Sequence, residues 1–202
     1  FLPDDETGQG LKNLDYAYIA AELGKSPLAS ETMNCSAPDT GNMEVLERVG
    51  TKAQKEKWLK PLLNGEIRSA YAMTEPNVAS SDAKNISTTA KLVGDEWVIN
   101  GRKRWPGNAV WCDYIVVYAR DVADKQVKAF VVEKDNPGYK ATKIGGKVSL
   151  RMVQNADITL TDCRVPEDAR LKNCNSFKDC ARVLMGTRNT VAWASLGNAV
   201  SA

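Results

Sequence analysis

Residues 71–83 read YAMTEPNVASSDA, a β-type run that passes into a group of small polar residues. The run ends at Thr74-Glu75-Pro76, and Ser80, Ser81 and Asp82 follow closely. Hydroxyls and closely spaced main-chain N–H groups can bind a phosphate or the polar edge of a planar ring. A polar turn, with Ser81 or Asp82 capping a short helical turn, is the simpler interpretation of the same residues.

Composition and charge describe an ordinary globular chain. Of the 202 residues, 43% are hydrophobic and 26% are charged, which is typical of a folded domain. The formal net charge is +2, so no basic excess indicates nucleic acid or anionic lipid as a partner. No apolar run approaches the about 20 residues that span a bilayer, and the start, FLPDDETGQG, lacks a signal-peptide pattern. We therefore expect a soluble, intracellular protein with no membrane span.

The histidine and cysteine counts exclude several kinds of site. The sequence contains no histidine, which rules out Ser-His-Asp and Cys-His catalysis and every His-ligated metal. Its five cysteines are an odd number, widely spread and without a Cys-x-x-Cys motif. That pattern argues against a disulfide framework and a thiolate zinc site, and it favours a reducing compartment. No metal site is predicted.

Helical signals dominate the first part of the chain. LDYAYIAAEL, residues 14–23, and MEVLERV, residues 43–49, have helical periodicity. For the second helix, Asn42 is the predicted N-cap. Thr51 and Gln54 have the spacing of a capping box, which predicts a further helix.

Short β-type segments replace the helical periodicity from about Ile67 to about Pro166. Gly94-Asp95 and Asn100-Gly101 are predicted to be turns between strands. These features predict an α+β fold whose middle is an antiparallel β-barrel or sandwich. Helical periodicity returns at Ser176 and continues to the end of the printed sequence, so we expect further helical structure that the chain does not include.

Four motifs, in order, resemble the acyl-CoA dehydrogenase and oxidase superfamily across essentially the whole chain. YAMTEPNVASSDA resembles the family's TEP-x-x-G-S-D signature, and WLKPLLNGEIRSAYAMTEP precedes it as in the family. WVINGRKRWPGN resembles the INGxKxWxxN hairpin, and VSLRMVQNADITLTDCRVPEDARL resembles the strand that closes the β-domain. The resemblance implies the end of a helical N-terminal domain at 1–70, a β middle domain at 71–175 and the truncated start of a C-terminal helical domain at 176–202.

Different parts of the chain resemble different branches of this family. MNCSAPDTGNMEVLERVGT and TEPNVASSDA are similar to the branch fused to a phosphotransferase-like domain. LRMVQNADI and the helix containing VAW are similar to glutaryl-CoA dehydrogenase homologues and the plant peroxisomal short-chain oxidase. A divergent homologue and a composite chain both remain open at this point.

The resemblance implies an FAD site between the β-domain and the C-terminal helices. Tyr71, Met73 and Thr74 are expected at the pyrimidine edge of the flavin, Thr74 by its side chain. Trp105 matches the tryptophan that flanks the flavin.

The two serines of the signature are expected to bind phosphate or the thioester ligand. Ser80 matches the family's serine position, which implies contact with the flavin pyrophosphate or with the CoA chain. One extra residue precedes Asp82, so Ser81 is an alternative to Ser80 for the contact with substrate.

Gly107 departs from the pattern of the dehydrogenases. Trp105-Pro106-Gly107-Asn108 stands where these enzymes have W-I-T/S-N, so a hydroxyl expected near the flavin's reactive nitrogen is absent. Glycine at this position is similar to the oxidase-like relatives, and losing a preorganised donor there should alter flavin reactivity. Alternatively, Gly107 only serves the turn that Pro106 begins.

Arg102, Lys103 and Arg104 form a run of three cations before Trp105. A nucleic-acid patch is one interpretation, but the net charge gives it no support, and we expect solvated side chains on an exposed hairpin strand.

The reaction implied by the resemblance converts an acyl-CoA thioester to a trans-2-enoyl-CoA by removing an α-proton and transferring a β-hydride to FAD. The family's base is a glutamate on C-terminal helices outside this sequence, so no catalytic residue is assigned and the chain alone is expected to be inactive. The resemblance also implies a homo-oligomer, a dimer or tetramer, with an electron-acceptor flavoprotein or oxygen. The mitochondrial matrix, the peroxisome and the bacterial cytoplasm are the compartments it suggests. The alternative is a non-catalytic, structural or assembly subunit of a larger complex.

Overall fold

A computed structural model describes residues 2, 7–78 and 82–202. The first elements are helical: α1 (Asn13–Gly24), α2 (Ala29–Thr32), α3 (Asp39–Val49), α4 (Lys52–Gln54), a π-helical turn (Lys55–Leu59) and α5 (Lys60–Leu63). The predicted helix at 14–23 is confirmed as α1. The Thr51 and Gln54 capping box is also confirmed, with Gln54 N–H donating to Thr51 Oγ1 and Thr51 N–H to Gln54 Oε1.

The predicted start of α3 is wrong. Asn42 lies inside the helix, which begins at Asp39. Its amide Nδ2 is 2.8 Å from Ser69 Oγ and 2.9 Å from Ala70 O, so the side chain bonds the first strand instead of its own helix. Asp39 accepts from the Ser69 N–H at 2.7 Å and from the Arg68 guanidinium at 2.6 Å. Two polar residues of α3 therefore hold the strand that leads to Thr74-Glu75-Pro76.

The α+β fold is confirmed by a seven-stranded sheet in the described part of the chain. Its strands are β1 (Ser69–Ala72), β2 (Thr89–Val93), β3 (Glu96–Arg104), β4 (Tyr114–Asp121), β5 (Val127–Glu133), β6 (Tyr139–Lys143) and β7 (Ala156–Pro166). The order is β1-β4-β2-β3-β7-β6, with β5 on β4. Most pairs are antiparallel, whereas β1 and β2 each run parallel to β4. Nearly all of β4 is buried, because it is covered on both faces of the sheet.

One of the two predicted turns is confirmed and the other is wrong. Gly94-Asp95 joins β2 to β3 as a two-residue hairpin turn, since Val93 pairs with Glu96. Asn100-Gly101 is instead a bulge within β3, where the register with β7 shifts. A Cβ on Gly101 would lie 2.5 Å from Thr88 Oγ1, and the φ of Gly101 is +155°. Glycine is needed at position 101 because Thr88 lies too close for any side chain to fit there.

The last helix, α6 (Phe177–Ser201), begins at a capping box of Ser176 and Asp179 and packs along α1 and α3. Glycines allow α6 to approach α1 closely: a Cβ on Gly197 would lie 1.9 Å from Ala21 O. Several large apolar side chains of α6 remain exposed, including Met185, Val191 and Val200. Among the described residues, no helix combines the length and hydropathy required to cross a bilayer.

Candidate functional site

The segment that carries Thr74-Glu75-Pro76 leaves the sheet at the end of β1 and returns to it at the start of β2, along the same edge of β4. The last pair of β1 joins Ala72 to Val117, and the first pair of β2 joins Thr89 to Arg120. The segment between β1 and β2, described at residues 73–78 and 82–88 and here called the TEP excursion, therefore projects from the sheet between two strands that follow one another along β4. Such an excursion, anchored at both ends by strands, gives main-chain polar groups a fixed position without pairing them in the sheet.

A buried ion pair anchors this excursion. Lys103 on β3 is 0% exposed at its side chain, and its Nζ lies 2.9 Å from Glu75 Oε1. The same ammonium donates to the Met73 carbonyl at 3.1 Å. Glu75 also accepts from the main-chain N–H groups of Ser87 at 2.7 Å and Thr88 at 2.9 Å. The central residue of the Arg102–Arg104 run is thus buried and paired, and the expectation of three solvated cations is wrong.

Burial and pairing act on both ends of this ion pair. Burial raises the pKa of Glu75, but the Lys103 ammonium and the hydrogen bonds from Ser87 and Thr88 outweigh it and hold the pKa at about 2. Burial lowers the pKa of Lys103 to about 8, against the upward effect of Glu75. Both groups are charged at neutral pH, so the pair is ionic in the folded protein.

Near the start of the excursion, Thr74 and Arg104 form two hydrogen bonds with each other. Arg104 N–H donates to Thr74 O at 3.0 Å, and the Thr74 hydroxyl donates to Arg104 O. A threonine hydroxyl has one proton and two lone pairs. With its proton directed at Arg104, the Thr74 hydroxyl is left as an acceptor for a ligand N–H.

Tyr71 and Met73 lie where β1 enters the excursion. The half-buried Tyr71 ring is 5.0 Å from the Tyr118 ring between centroids, and its hydroxyl lies 3.9 Å from Met73 Sδ. Burial raises the pKa of Tyr71, so the phenol is neutral. The side chain of Met73 is buried, which leaves its main chain as the part able to meet a ligand.

Trp105 presents an aromatic ring beside Thr74. The residue is 51% exposed, its φ is +78°, and its main-chain N–H donates to Ala156 O at 3.0 Å. The Arg104 guanidinium lies 5.0 Å from the ring centroid, and Arg104 is itself bonded to Asp157 at 2.9 Å. A positive φ is unusual for a bulky residue, and the bond to Ala156 holds the main chain of Trp105 in this conformation. The exposed ring is a surface on which a planar ligand could stack.

Gly107 follows on the same turn. A Cβ there would lie 3.2 Å from Val153 Cγ1, so a larger side chain requires Val153 to shift slightly. Asn108, with φ +64°, donates its amide to Ser69 O at 3.3 Å. The turn 105–108 is therefore tied to the start of β1.

Ser80 and Ser81 lie outside the described residues. Their neighbour Asp82 accepts from Lys84 N–H at 3.0 Å and caps the 3₁₀ turn Ala83–Asn85. The simpler interpretation of a capped turn is confirmed for Asp82.

A groove of about 430 Å³ lies between α6 and the segment that joins α2 to α3. Tyr71, on β1, is among the residues that line it. Its surface is mainly apolar with scattered hydroxyls, and it includes Pro38, Val183, Leu184, Thr187, Val191 and Ala194. No Asp or Glu is among the described residues that line it. The groove can therefore hold an apolar chain but offers no carboxylate base from this part of the sequence.

Glu44 is a buried acid that faces a different cavity. It lies on α3 beside a separate cavity of about 50 Å³, with Arg48, Gly186 and Thr190 in the lining. Burial raises the pKa of Glu44, and Arg48 partly offsets the effect. Sequence reasoning missed both the groove and the Lys103 pair, although the lysine stands in the INGxKxW motif and the glutamate in TEP.

No group of acids and cysteines in the described residues could hold a metal ion.

The fold and the site define a class of protein once the chain is compared with known families. Residues 1–66 match the family model of the acyl-CoA dehydrogenase N-terminal domain, and residues 70–163 match that of the acyl-CoA dehydrogenase middle domain. The chain belongs to the acyl-CoA dehydrogenase family.

Individual relatives agree with this assignment. A probable acyl-CoA dehydrogenase, FadE2 of Mycobacterium tuberculosis, is 51% identical over 136 residues, which is 64% of this chain and 33% of FadE2. The structure of a putative acyl-CoA dehydrogenase from Mycobacterium abscessus superposes with a TM-score of 0.90 at 38% identity, covering 97% of this chain and 50% of that one. Glutaryl-CoA dehydrogenase from Mycobacterium smegmatis in complex with FADH2 superposes with a TM-score of 0.82 at 27% identity, covering 94% and 48%.

The chain is shorter than these relatives. It spans between 16% and 33% of the length of the curated proteins it matches and about half of the solved structures.

Proposed function

We propose that this chain is part of an FAD-dependent acyl-CoA dehydrogenase or oxidase that converts an acyl-CoA thioester to a trans-2-enoyl-CoA. In this proposal residues 1–70 end the N-terminal helical domain, 71–175 form the middle domain and 176–202 begin the C-terminal domain. The observation that carries it is the apolar groove lined in part by Tyr71, on the strand leading into the TEP excursion.

The residues around the excursion fit a flavin ring. Trp105 offers an exposed indole for stacking, and the Thr74 hydroxyl keeps its lone pairs free to accept from a ring N–H. In the adjacent turn, position 107 carries no side chain because it is glycine. Bound FAD would supply the hydride acceptor, and the protein's part is to position and cover its ring.

The acyl chain belongs in the groove in this proposal. Val183, Leu184 and Val191 supply apolar contacts from α6, and burial of each CH₂ of an acyl chain contributes about 0.8 kcal/mol. Ser80 and Ser81 are proposed for the flavin pyrophosphate and the CoA chain on the resemblance alone.

The proton-accepting group is proposed to come from outside this chain. The described lining of the groove contains no carboxylate, and a general base must lie within hydrogen-bond reach of its proton. A complete enzyme would work as a homo-oligomer and pass electrons to a flavoprotein or to oxygen.

The same missing carboxylate favours a second candidate, a non-catalytic structural or assembly subunit. Such a subunit retains the fold and the groove but needs no base. Unlike the enzyme, such a subunit does not require FAD.

Flavin binding separates the two candidates. The purified chain is mixed with FAD, desalted and measured by visible absorbance and by quenching of flavin fluorescence. Retained FAD that is weakened by Trp105→Ala but not by Trp111→Ala, a change at another exposed tryptophan, supports the flavoprotein. Failure to retain FAD in a folded chain favours the structural subunit.

A further inference from the structure

Two cysteines meet at the start of α6. The Sγ atoms of Cys174 and Cys180 lie 3.2 Å apart, and each residue is 1% exposed. The pair lies outside the proposed flavin and acyl sites. All five cysteines, including Cys35, Cys112 and Cys163, are free thiols.

The turn between the two cysteines is held by hydrogen bonds independent of the thiols. Cys174 N–H donates to Leu171 O at 2.9 Å. Asp179 accepts from the N–H groups of Asn175 and Ser176, each at 3.0 Å. Both ends of the 174–180 segment are thus fixed with the thiols facing one another, and closing a bond between them requires little main-chain movement.

We propose that Cys174 and Cys180 form a reversible intramolecular disulfide when the protein meets a hydroperoxide. The Cys174 thiolate attacks a peroxide oxygen, the O–O bond breaks, and Cys174 becomes a sulfenic acid while the leaving hydroxide takes up the thiol proton as water. The Cys180 sulfur then attacks the Cys174 sulfur, the S–O bond breaks, and a second water leaves with the Cys180 proton. With hydrogen peroxide, two thiols are oxidised by two electrons and one peroxide is reduced to two waters.

The surroundings give the two thiols different roles. The hydrogen bond with Cys180 lowers the pKa of Cys174, against burial and the charge of Asp179. The same contact, with burial, raises the pKa of Cys180. The Cys180 thiol also donates to Ser176 O at 3.7 Å, which keeps the proton on Cys180. Since the thiolate is the nucleophile, Cys174 attacks and Cys180 resolves.

Burial and the two thiols raise the pKa of the phenols of Tyr71 and Tyr118, and Tyr71 also lines the groove. Because each cysteine is only 1% exposed, oxidation requires local opening at the start of α6. Once formed, the disulfide joins the connection after β7 covalently to the first turn of α6.

Peptide mapping tests the proposal. The folded chain is treated with hydrogen peroxide, quenched, denatured, alkylated with N-ethylmaleimide and digested with trypsin. Cleavage after Lys172, Lys178 and Arg182 places the two cysteines on separate peptides, 173–178 and 179–182. We expect these peptides to appear linked, at 2 Da below the sum of their thiol forms, and to separate with dithiothreitol. Full alkylation of both cysteines after peroxide would overturn the proposal.

Single variants test the order of the steps and the identity of the pair. Cys180→Ser should leave a sulfenic acid on Cys174 that dimedone traps, about tenfold more than on Cys180 in Cys174→Ser, because the thiolate fraction sets the rate. The control Cys163→Ser, at another buried cysteine, should still form the link. Far-ultraviolet circular dichroism confirms that each variant is folded. Equal trapping in the two variants, or loss of the link in folded Cys163→Ser, would contradict the assignment.

Discussion

The Lys103 side chain is fully buried and charged, and its ion pair with Glu75 makes this burial possible. Replacing Lys103 by methionine keeps the apolar stem but leaves Glu75 buried without its cation. Breaking a buried pair in this way costs about 3–5 kcal/mol. We expect that loss in the free energy of unfolding measured with urea. Lys91→Met, at an exposed position of β2, is the control and should change it by less than about 0.5 kcal/mol. A similar small change in Lys103→Met would show that the pair contributes no net stability.

The pH dependence of stability follows from the same pair. The folded pKa of Glu75, about 2, is below the unfolded value of 4.5, so its contribution is present above pH 4.5 and is lost as the pH falls towards 2. Glu75→Gln should make the midpoint of urea unfolding less dependent on pH in that range. Lys103 has the opposite sign: its folded pKa of about 8 is below 10.5, so the unfolded state binds more protons between these values. Its contribution to stability therefore rises with pH there.

Thr74 is expected to affect flavin binding through its hydroxyl. Thr74→Ala removes one hydrogen-bonding group, which should weaken FAD retention by about 0.5–1.5 kcal/mol. Isothermal titration with FAD measures the change, and Thr74→Ser, which keeps the hydroxyl, is the matched control. Because the hydroxyl also bonds Arg104 O, the stability of the FAD-free protein is measured beside it. Unaltered FAD affinity in Thr74→Ala would remove this residue from the site.

Gly107 is predicted to favour reaction with oxygen in the complete enzyme. Gly107→Thr restores a hydroxyl, which should lower peroxide formed per enoyl-CoA during turnover, because a donor stabilises charge on the reduced cofactor. Gly107→Ala is the steric control, since any Cβ there meets Val153 at 3.2 Å. Equal peroxide from Gly107→Thr and the parent would end the argument for oxidase character from this position.

At the scale of elements, α3 and β1 are joined by polar side chains within a mostly apolar contact. Asn42→Ala should leave Ser69 Oγ and Ala70 O without a donor, at a cost of about 1–3 kcal/mol. Asn189→Ala, at an exposed position of α6, should be neutral or slightly stabilising because alanine has the higher helix propensity. Thermal unfolding of the two variants measures the difference, and equal midpoints would contradict this role for Asn42.

For the whole molecule, we expect the 202-residue chain to form no enoyl-CoA even with FAD supplied. The described lining of the groove contains no carboxylate, and the sequence contains no histidine to replace one. The test adds a panel of acyl-CoAs and an artificial electron acceptor and measures enoyl-CoA by mass spectrometry. Glutaryl-CoA dehydrogenase with its own substrate serves as the assay control. Product from this chain would show that one of its own acids acts as the base.

Local patterns were sufficient for the elements and the family. Helical periodicity at 14–23, the Thr51 and Gln54 box and the Gly94-Asp95 turn depend on residues a few positions apart, and all three are present. The TEP, INGxKxW and closing-strand motifs indicated the family, and the absence of histidine excluded whole classes of catalysis. Such features are determined by the sequence itself, because each needs only its near neighbours.

Long-range contacts decided what local patterns could not. Lys103 is buried because Glu75, 28 residues away, neutralises it, and Asn42 bonds a strand 27 residues away instead of capping its helix. The Asn100-Gly101 bulge depends on the approach of Thr88. The groove exists only once α6 packs beside α3 and Tyr71. A charge or an amide becomes favourable in the interior only when its partner arrives, and tertiary structure alone brings the partners together.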